Sequence, residues 1–571
     1  MQTNLPPDEN LCSKFGTKVE NAGIGGTLHE FHRICSRLLF CVIAIFAGSV
    51  QLLGARCEDL QKLSLPNVTV SSAFSVPSGS FTPPGSTIAL HTQGFCRISA
   101  MAKPVPGSVI NFELWIPTAG RWNHKLEGVG NGAYAGAISY GALANAVERG
   151  FAAASTDTGH TGSDLTFAIG HPERIVDWGY RAVHVMTDAA KLIIRDYTGT
   201  FPRHSYFNGC STGGAQALSE AERFPADYDG VIAGDPGNDR VHLNVGFLWA
   251  FVATHDANGK SILPASKLQL LYGAVISECD AIDGVKDGII SDPQACRFDP
   301  GSLLCRGDET DSCLTSLQVE AVRKVYQGPR NPRTGAQIIA GYSPGSEDPP
   351  GDEYHGWKTY ITDPKEPMRI DFWRYWVFND PNWDWRTFDY DRDVAYADEK
   401  VASVNASIAD LKPFKARGGK ILMYSGWADP VGPALDAVRY YEKVTSAMGG
   451  PHQTRDFFRL FMVPGMGHCA GGVGPAIFGG ARGGNDPHLV PPQINLDPDH
   501  DLLSALDRWA EKGTAPDHIF AMHLGPNNVP DRTRPLCPYP SKATWNRRGS
   551  TDEARNFSCT DEKLPRAVGE Q

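Results

Sequence analysis

The stretch Asn208-Gly-Cys-Ser-Thr-Gly-Gly214 places Ser211 in a G-x-S-x-G frame. The residues His204–Asn208 before it predict a short strand, and Ala215–Arg223 has the composition of a helix. A serine on a tight, glycine-flanked turn between a strand and a helix exposes its hydroxyl as a nucleophile. The frame alone is weak evidence, because a glycine-rich turn with a solvated serine has the same letters.

An aspartate and a histidine follow later predicted strands in the order that this arrangement requires. Asp429 lies in the turn Ser425-Gly-Trp-Ala-Asp-Pro430 directly after the apolar run Lys420–Ser425, and His468 lies in the turn Pro464-Gly-Met-Gly-His-Cys469 directly after Phe458–Val463. Each stands at a strand end in the order Ser, Asp, His, from which it can reach the serine. Taken separately, Asp429 reads as a turn aspartate before proline and His468 as a loop histidine. Their order and placement together favour a catalytic triad with Ser211.

Further segments alternate between strand and helix patterns. Ile110–Ile116 alternates like a strand, and Tyr228–Gly234 reads as a buried strand that ends at Asp235-Pro236. Ile175–Tyr197 predicts a long helix, and Asp501–Lys512 predicts an amphipathic one. Such alternation predicts an α/β protein with a mostly parallel sheet that is covered on both faces.

The length of 571 residues is large for one domain. Between residues 238 and 413 the chain is rich in aromatic, acidic, proline and glycine residues and holds four cysteines. Its most aromatic part is Phe372–Tyr390. We predict that 238–413 is an inserted lid domain, and that 57–237 and 414–571 together form the catalytic domain.

Residues 1–56 predict a leader with a signal peptide. Phe31–Arg37 is a short basic stretch, and Leu38–Ala55 is apolar and ends in small residues, as a secretory signal does. An uncleaved signal anchor is the alternative, because a run of this length can just span a bilayer. The small residues at its end favour cleavage, which predicts a secreted or periplasmic protein without membrane attachment. The net charge of −11 argues against nucleic acid as a partner.

The cysteines support export. Ten of the 13 lie beyond the leader, and an even number in an exported chain predicts disulfide bonds. Cys210 precedes Ser211 and Cys469 follows His468. If the serine and the histidine meet for proton transfer, their neighbours meet as well, so we predict a Cys210–Cys469 bridge. The alternative is a pair of buried thiols that happen to flank functional residues.

The elements Cys210-Ser211, Asp429 and His468-Cys469 resemble the CS-D-HC arrangement of the tannase and feruloyl esterase family, over roughly residues 57 to 560. This resemblance implies a secreted protein with an α/β-hydrolase fold and a large inserted lid domain. It also implies Ser211 as nucleophile, His468 as general base and then acid, and Asp429 as the group that orients His468. The remaining bridges implied by the resemblance are Cys57–Cys96, Cys279–Cys296, Cys305–Cys313 and Cys537–Cys559.

An oxyanion hole requires two N–H donors. The backbone N–H of Thr212, directly after the nucleophile, is the first candidate. The glycine-rich segment Gly128–Ala133 follows a strand-like region and offers the second, for which Gly132 is the first choice and Asn131 the next. The alternative is a turn that merely tolerates glycine.

An acidic loop in the predicted lid suggests a metal site. Asp280, Asp283 and Asp287 lie close together with glycines between them, and hard oxygen ligands on a tight loop suit Ca²⁺. No histidine is present in the loop, which argues against zinc. The family resemblance implies a structural calcium here, with the backbone carbonyls of Val285 and Ile289 as further ligands. The alternative is a plain acidic turn.

These features predict a secreted serine carboxylic ester hydrolase that acts through an acyl-serine intermediate. Its expected substrate is a small aromatic ester of plant cell-wall or polyphenol origin. The aromatic stretch Phe372–Tyr390 offers flat apolar surface for its acyl group, and the alternative is that these rings form the core of the lid. Hydroxycinnamoyl (feruloyl-type) esters are the first choice, galloyl esters, the substrates of a tannase, the second, and terephthalate monoesters the third. A different class, a non-catalytic calcium-stabilised binding protein on a hydrolase scaffold, is disfavoured by the intact triad. The sequence carries no signal for an oligomeric state.

Overall fold

The computed structural model describes residues 56–352, 354–480 and 494–561. The predicted signal, Leu38–Ala55, lies outside the described residues. Within them, no helix combines the length and the apolar composition needed to cross a membrane.

Most of the secondary structure follows the alternation that the sequence predicts. The strands are β1 (Ser64–Leu65), β2 (Val68–Val76), β3 (Gly79–Phe81), β4 (Leu90–Thr92), β5 (Phe95–Ala102), β6 (Ile110–Pro117), β7 (Lys125–Val129), β8 (Ala152–Thr156), β9 (His204–Cys210), β10 (Gly230–Gly234), β11 (Lys420–Gly426), β12 (Phe458–Val463), β13 (Ile519–Leu524), β14 (Pro530–Leu536), β15 (Lys542–Trp545) and β16 (Phe557–Thr560). The α-helices are α1 (Tyr140–Glu148), α2 (Pro172–Val176), α3 (Ala182–Thr198), α4 (Thr212–Arg223), α5 (Arg240–Thr254), α6 (Ala265–Cys279), α7 (Ser316–Gln327), α8 (Arg392–Lys400), α9 (Lys412–Ala416), α10 (Ala434–Ala447), α11 (Pro451–Arg455) and α12 (Leu502–Lys512).

A ten-stranded sheet organises the fold, in the order β1-β2-β5-β6-β8-β7-β9-β10-β11-β12. The six strands from β8 to β12 run parallel. The four strands at the other edge are antiparallel to their neighbours. The predicted mostly parallel sheet is therefore confirmed, and the carboxyl ends of β9 to β12 lie along one edge.

Both faces of the sheet are covered. On β11, Ile421 and Met423 pack in one core with α3, α4 and α10, whereas Leu422 and Tyr424 pack in a second core with α1 and α12. Side chains alternate across a strand, so a strand buried on both faces reads as a continuous apolar run. Each fully buried large apolar side chain contributes roughly 1.5–3 kcal/mol to folding.

The helix predicted over Ile175–Tyr197 is divided. Between α2 and α3 the residues Asp177–Arg181 form a π-helical turn. Gly179 in this turn meets another segment, and a Cβ there would lie 2.4 Å from the Ser403 carbonyl oxygen. The interruption thus occurs where the backbone approaches a segment that is distant in sequence, which local periodicity does not reveal.

Between β10 and β11 the described chain adds no strand to the sheet and contains α5 to α9. This region has apolar clusters of its own, and Phe372, Trp373 and Trp376 are buried in one of them together with Trp178. The boundaries 238–413 for a lid domain, and those of the flanking catalytic segments, stay a prediction. We call residues 238–413 the lid below.

The structure contains five disulfide bonds among the described residues, and their pairing is the one implied by the family resemblance. They are Cys57–Cys96, Cys210–Cys469, Cys279–Cys296, Cys305–Cys313 and Cys537–Cys559.

Candidate active site

Ser211 lies on a strained turn between β9 and α4. Its backbone has φ 61° and ψ −120°, which is a rare conformation for a residue with a side chain. The Ser211 N–H donates to the Gly234 carbonyl over 2.9 Å. A Cβ on Gly209 would lie 2.5 Å from the Gly213 backbone, so the turn tolerates only glycine there. The strain is thus maintained by the surrounding packing, and it presents the hydroxyl at the end of β9.

His468 and Asp429 form a buried hydrogen-bonded pair at the ends of β12 and β11. The Nδ1 of His468 lies 2.7 Å from Oδ2 of Asp429. The other carboxylate oxygen of Asp429 accepts the N–H groups of Val431 and Gly432 over 2.7 and 3.0 Å. Because Nδ1 is engaged, Nε2 is the nitrogen that remains for a reacting proton. Ser211, Asp429 and His468 line one cavity of about 440 Å³.

The Cys210–Cys469 bridge joins the residue before Ser211 to the residue after His468. Its Cα atoms lie 6.0 Å apart, although 259 positions separate the two cysteines in the sequence. Gly426 adds a close backbone contact, because a Cβ there would lie 2.4 Å from the carbonyl oxygens of Met466 and Gly467. The histidine loop is therefore held covalently to β9 and by close packing to β11.

Asp235, at the end of β10, is a further buried carboxylate that carries no role in the sequence-based prediction. Its Oδ2 accepts the Cys469 N–H over 2.8 Å, and its Oδ1 accepts the Gly426 N–H over 2.8 Å and the Ser425 hydroxyl over 3.0 Å. It lines the same cavity as Ser211. The signal that predicts the triad, a polar residue in the turn after a parallel strand, is present at Asp235 as well.

The carboxylates around His468 shape its electrostatics. A carboxylate oxygen of Asp235, a carboxylate oxygen of Asp429 and a ring nitrogen of His468 lie within 4.8 Å of one another. Burial, followed by the charge of Asp429, raises the pKa of Asp235 to about 7. Burial alone would lower the pKa of His468, but Asp429, followed by Asp235 and Asp352, raises it above its ordinary value. The neighbouring carboxylates therefore stabilise the imidazolium of His468 relative to an imidazole in water.

The two predicted oxyanion donors, Gly132 and Thr212, belong to different segments of the chain, and both have a backbone N–H that is free among the described residues. Gly132 lines the cavity, and Thr212 begins α4 directly after Ser211. Neither backbone N–H has an acceptor within the part of the chain that the structure describes. The Asn131 N–H, the second choice, donates to Oε1 of Gln216 over 3.0 Å and is therefore occupied. Free N–H groups at Gly132 and Thr212 are suited to binding an oxyanion.

The acidic residues predicted to bind calcium share one loop but do not converge. Oδ1 of Asp280 accepts the N–H groups of Asp287 and Gly288 over 3.1 and 3.0 Å. Oδ2 of Asp287 pairs with the Arg534 guanidinium. Among the described residues, the groups of metal-ligating side chains whose atoms lie within 4.8 Å of one another do not combine Asp280, Asp283 and Asp287. The oxygen donors suit Ca²⁺ in kind.

The two predicted carbonyl ligands, Val285 and Ile289, are buried in the same loop. The N–H of Val285 donates to Asp283 over 2.9 Å, and that of Ile289 donates to Asp287 over 3.2 Å. Their N–H groups are thus used within the loop, and their carbonyl oxygens supply the kind of donor that Ca²⁺ takes.

The lid provides part of the cavity wall. Tyr354, Tyr360 and Arg369 line the cavity, and the Tyr354 ring lies edge-to-face against His468 with a centroid distance of 5.6 Å. The aromatic stretch Phe372–Tyr390, considered as a substrate surface, does not line it and forms lid core instead. The reason is that its large rings pack on each other and on Trp178.

The order of the sheet strands and the strand-to-helix turn at Ser211 define a fold of the α/β-hydrolase type. The family model "Tannase and feruloyl esterase" matches residues 96–560. The chain therefore belongs to the tannase and feruloyl esterase family, and it is a carboxylic ester hydrolase of that family.

Individual relatives cover most of the chain. An uncharacterized esterase of Xanthomonas campestris is 41% identical over 540 residues, which are 89% of this chain and 91% of the relative. A probable feruloyl esterase B-2 of Aspergillus terreus is 30% identical over 517 residues, 88% of this chain and 95% of the relative. The crystal structure of feruloyl esterase B from Aspergillus oryzae is 28% identical, with a TM-score of 0.81 over 88% of this chain and 99% of that one. A tannin acyl hydrolase from Aspergillus niger shares the fold at 20% identity and a TM-score of 0.69, over 88% of this chain and 95% of that one.

Proposed function

We propose that this esterase is a secreted serine hydrolase that cleaves aromatic esters of the hydroxycinnamoyl type through an acyl-serine intermediate. The observation that carries the proposal is the buried His468–Asp429 pair in the cavity that also contains Ser211 on its strained turn. A binding protein would not need a hydroxyl, a base and an orienting carboxylate together.

The catalytic roles follow from the positions of these groups. The Ser211 hydroxyl attacks the ester carbonyl carbon while Nε2 of His468 accepts its proton. Asp429 holds the imidazole by its Nδ1 and stabilises the imidazolium. The N–H groups of Gly132 and Thr212 bind the oxyanion. His468 then protonates the departing alcohol, and water attacks the acyl-serine with His468 again as the base, which releases the acid.

The substrate proposal rests on the cavity wall and on the relatives. Leu243, Phe247 and Tyr360 give the wall apolar and aromatic surface that suits a flat acyl group. Relatives named feruloyl esterase favour the hydroxycinnamoyl class. A relative named tannin acyl hydrolase keeps galloyl esters as the second candidate. Terephthalate monoesters are the third.

We also propose a structural Ca²⁺ in the lid, held by carboxylates of Asp280, Asp283 and Asp287 and by carbonyls of Val285 and Ile289. The bound ion would offset the negative charge of the carboxylates and coordinate oxygens of all five residues, which would make the loop more rigid. The proposal of export rests on the five disulfide bonds, which persist in an oxidising compartment.

A fluorophosphonate probe and a substrate panel test the proposal. The probe should label wild-type protein at Ser211 and leave Ser211→Ala unlabelled, and the variant should lose turnover while its circular dichroism stays unchanged. Methyl ferulate should be hydrolysed faster than methyl gallate, a terephthalate monoester and a short aliphatic ester. Near-normal turnover by Ser211→Ala would refute the serine mechanism, and absence of both labelling and turnover in the wild type would favour the binding protein.

A further inference from the structure

Two guanidinium groups line the reaction cavity without an anionic partner, and we propose that they bind a carboxylate that the substrate carries in addition to its ester. The groups belong to Arg240, at the start of α5, and to Arg369, in a later part of the lid. Among the residues that the structure describes, neither forms an ion pair. The proposal rests on the proposed function and extends it, because it specifies the charge of the preferred ester.

Arg240 is a buried cation whose hydrogen-bonding capacity is largely unused. Arg240 is only 5% exposed, and its Nη2 donates to the Thr212 hydroxyl over 3.0 Å. Its Nε is buried without an acceptor in the described part of the chain. A guanidinium keeps its charge in a protein, so it needs either a partner or a ligand to offset its lost hydration.

Arg369, in a later part of the lid, contacts the same aromatic ring as Arg240. The Cζ atoms of Arg240 and Arg369 lie 5.6 and 5.7 Å from the centroid of one ring, that of buried Tyr134. Arg369 also donates to the Tyr360 hydroxyl over 3.3 Å. Contact with the aromatic face stabilises each cation, but it does not offset the repulsion between two cations on one ring. A carboxylate bound between them would offset this repulsion, and its two oxygens match the planar fork of guanidinium donors.

The other charged groups of the wall have partners of their own or face solvent. His242 pairs with Asp239 and Asp398, Arg439 with Asp436, and Asp429 with His468. Asp235 accepts three hydrogen bonds, and Lys443 is exposed and donates to a backbone carbonyl. The uncompensated positive charge within the described wall is therefore concentrated at Arg240 and Arg369.

The position of this charge relates it to the reaction. Arg240 contacts the hydroxyl of Thr212, the residue that follows Ser211 and supplies a proposed oxyanion donor. The carboxylate would thus belong to a part of the substrate that extends past the oxyanion donors. An acyl group with a second carboxylate and an alcohol group with a carboxylate present the same chemistry to the two arginines, and an experiment with two arms distinguishes them.

The experiment compares anionic esters with neutral isosteres. In the acyl arm, monomethyl terephthalate is paired with methyl 4-carbamoylbenzoate, and in the alcohol arm feruloyl glycolate is paired with feruloyl glycolamide. We expect kcat/KM to favour the anionic member of one pair by roughly 10- to 100-fold, the range of charge-assisted hydrogen bonds. A ratio near one in both pairs would overturn the proposal.

Substitution of Arg369 links the preference to the site. In Arg369→Gln the anionic-to-neutral ratio should fall towards one, and in Arg369→Lys part of it should remain, because the charge stays but the fork is lost. The matched control is Arg333→Gln, whose arginine is exposed and paired with Asp391 outside the cavity, and which should keep the wild-type ratio. An unchanged ratio in Arg369→Gln would overturn the proposal. If Arg369→Gln fails to fold, a wild-type anionic-to-neutral ratio in Arg369→Lys would overturn the proposal instead.

A binding measurement separates this inference from the proposed function. The probes are amide analogues of the two ester pairs, so that no turnover is needed: 4-(methylcarbamoyl)benzoate and its neutral diamide for the acyl arm, and N-feruloylglycine and N-feruloylglycinamide for the alcohol arm. Calorimetry should show roughly 10- to 100-fold tighter binding of the anionic member of one pair, dependent on Arg369. Equal binding within both pairs counts against the carboxylate site even if Ser211→Ala is inactive. Arg369-dependent binding supports the site even if Ser211→Ala retains turnover, which would refute the serine mechanism alone.

Discussion

Removal of the Cys210–Cys469 bridge tests whether the covalent link positions the base. The bridge closes a loop of 259 residues between β9 and the histidine loop. In the chain-entropy treatment a 100-residue loop is worth about 4.7 kcal/mol, and the value grows only with the logarithm of loop length. We therefore expect the double variant Cys210→Ala/Cys469→Ala to lose about 5.5 kcal/mol of unfolding free energy.

The same variant should remain folded and lose part of its activity. The bonds from Asp235 to Cys469 and Gly426 do not involve sulfur, so they continue to hold the histidine loop. The imidazole nevertheless gains freedom relative to Ser211, and misplacement of a reacting group by about 1 Å costs roughly 100-fold in rate. We expect kcat/KM on methyl ferulate at 25 °C to fall roughly 10- to 100-fold.

The matched control is the lid bridge Cys305–Cys313, which spans only 8 positions. Its removal should cost about 2.5 kcal/mol by the same treatment and leave kcat/KM unchanged. Urea unfolding followed by tryptophan fluorescence gives the two stabilities. Equal losses in the two double variants would refute the loop-length reasoning, and full activity without the Cys210–Cys469 bridge would show that the bridge does not position the base.

Three further perturbations have defined outcomes. Carboxylates raise the pKa of His468 and the base must be neutral to accept a proton, so kcat/KM should rise with pH through that pKa; Asp235→Asn removes one of those charges and should move this acidic limb to lower pH, whereas an unmoved limb would contradict the charge argument. Added Ca²⁺ should raise Tm of the chelator-treated enzyme by mass action, and Asp283→Asn should weaken this response; a Tm insensitive to chelator and Ca²⁺ would exclude the site. Gly209→Ala should destabilise the fold by more than about 1 kcal/mol, because its Cβ would lie 2.5 Å from the Gly213 backbone; unchanged urea unfolding would refute that reading.

Local sequence signals predict the elements that the sheet requires and the side chains at its edge. Ser211, Asp429 and His468 could be predicted as a triad because each lies in the turn after an apolar run and their order is Ser, Asp, His. Asp235 occupies the same kind of position before a proline as Asp429 does, but the triad needs only one carboxylate, so local sequence gives Asp235 no role. Its contacts with the loops after β11 and β12 depend on the parallel pairing of β10 and β11, which is a long-range property.

The residues of the lid that line the cavity could not be predicted from the sequence. The aromatic content of Phe372–Tyr390 suggested a substrate surface, but composition does not tell a cavity wall from a core, and packing buries these rings. Arg240 and Arg369 are 129 positions apart in the sequence and come together on the ring of Tyr134 only in the folded chain. No spacing or motif along the chain connects them, so the proposed carboxylate site could not be inferred before the structure.

The charged side chains of the cavity have the signs that would stabilise the charges formed in the proposed reaction. Attack by Ser211 creates a positive charge on His468 and a negative charge at the oxyanion. The carboxylates of Asp429 and Asp235 lie beside His468, whereas the Arg240 guanidinium contacts Thr212, whose N–H faces the oxyanion in the proposed mechanism. Charges of these signs stabilise the charge separation of the transition state more than the neutral ester, and such preorganised electrostatics lower the barrier. Asp235, whose pKa is raised to about 7, adds to them where it is ionised. Arg240 would then contribute to turnover of neutral esters as well, while Arg369, which donates to Tyr360 and not to Thr212, would act mainly on the charge of the substrate.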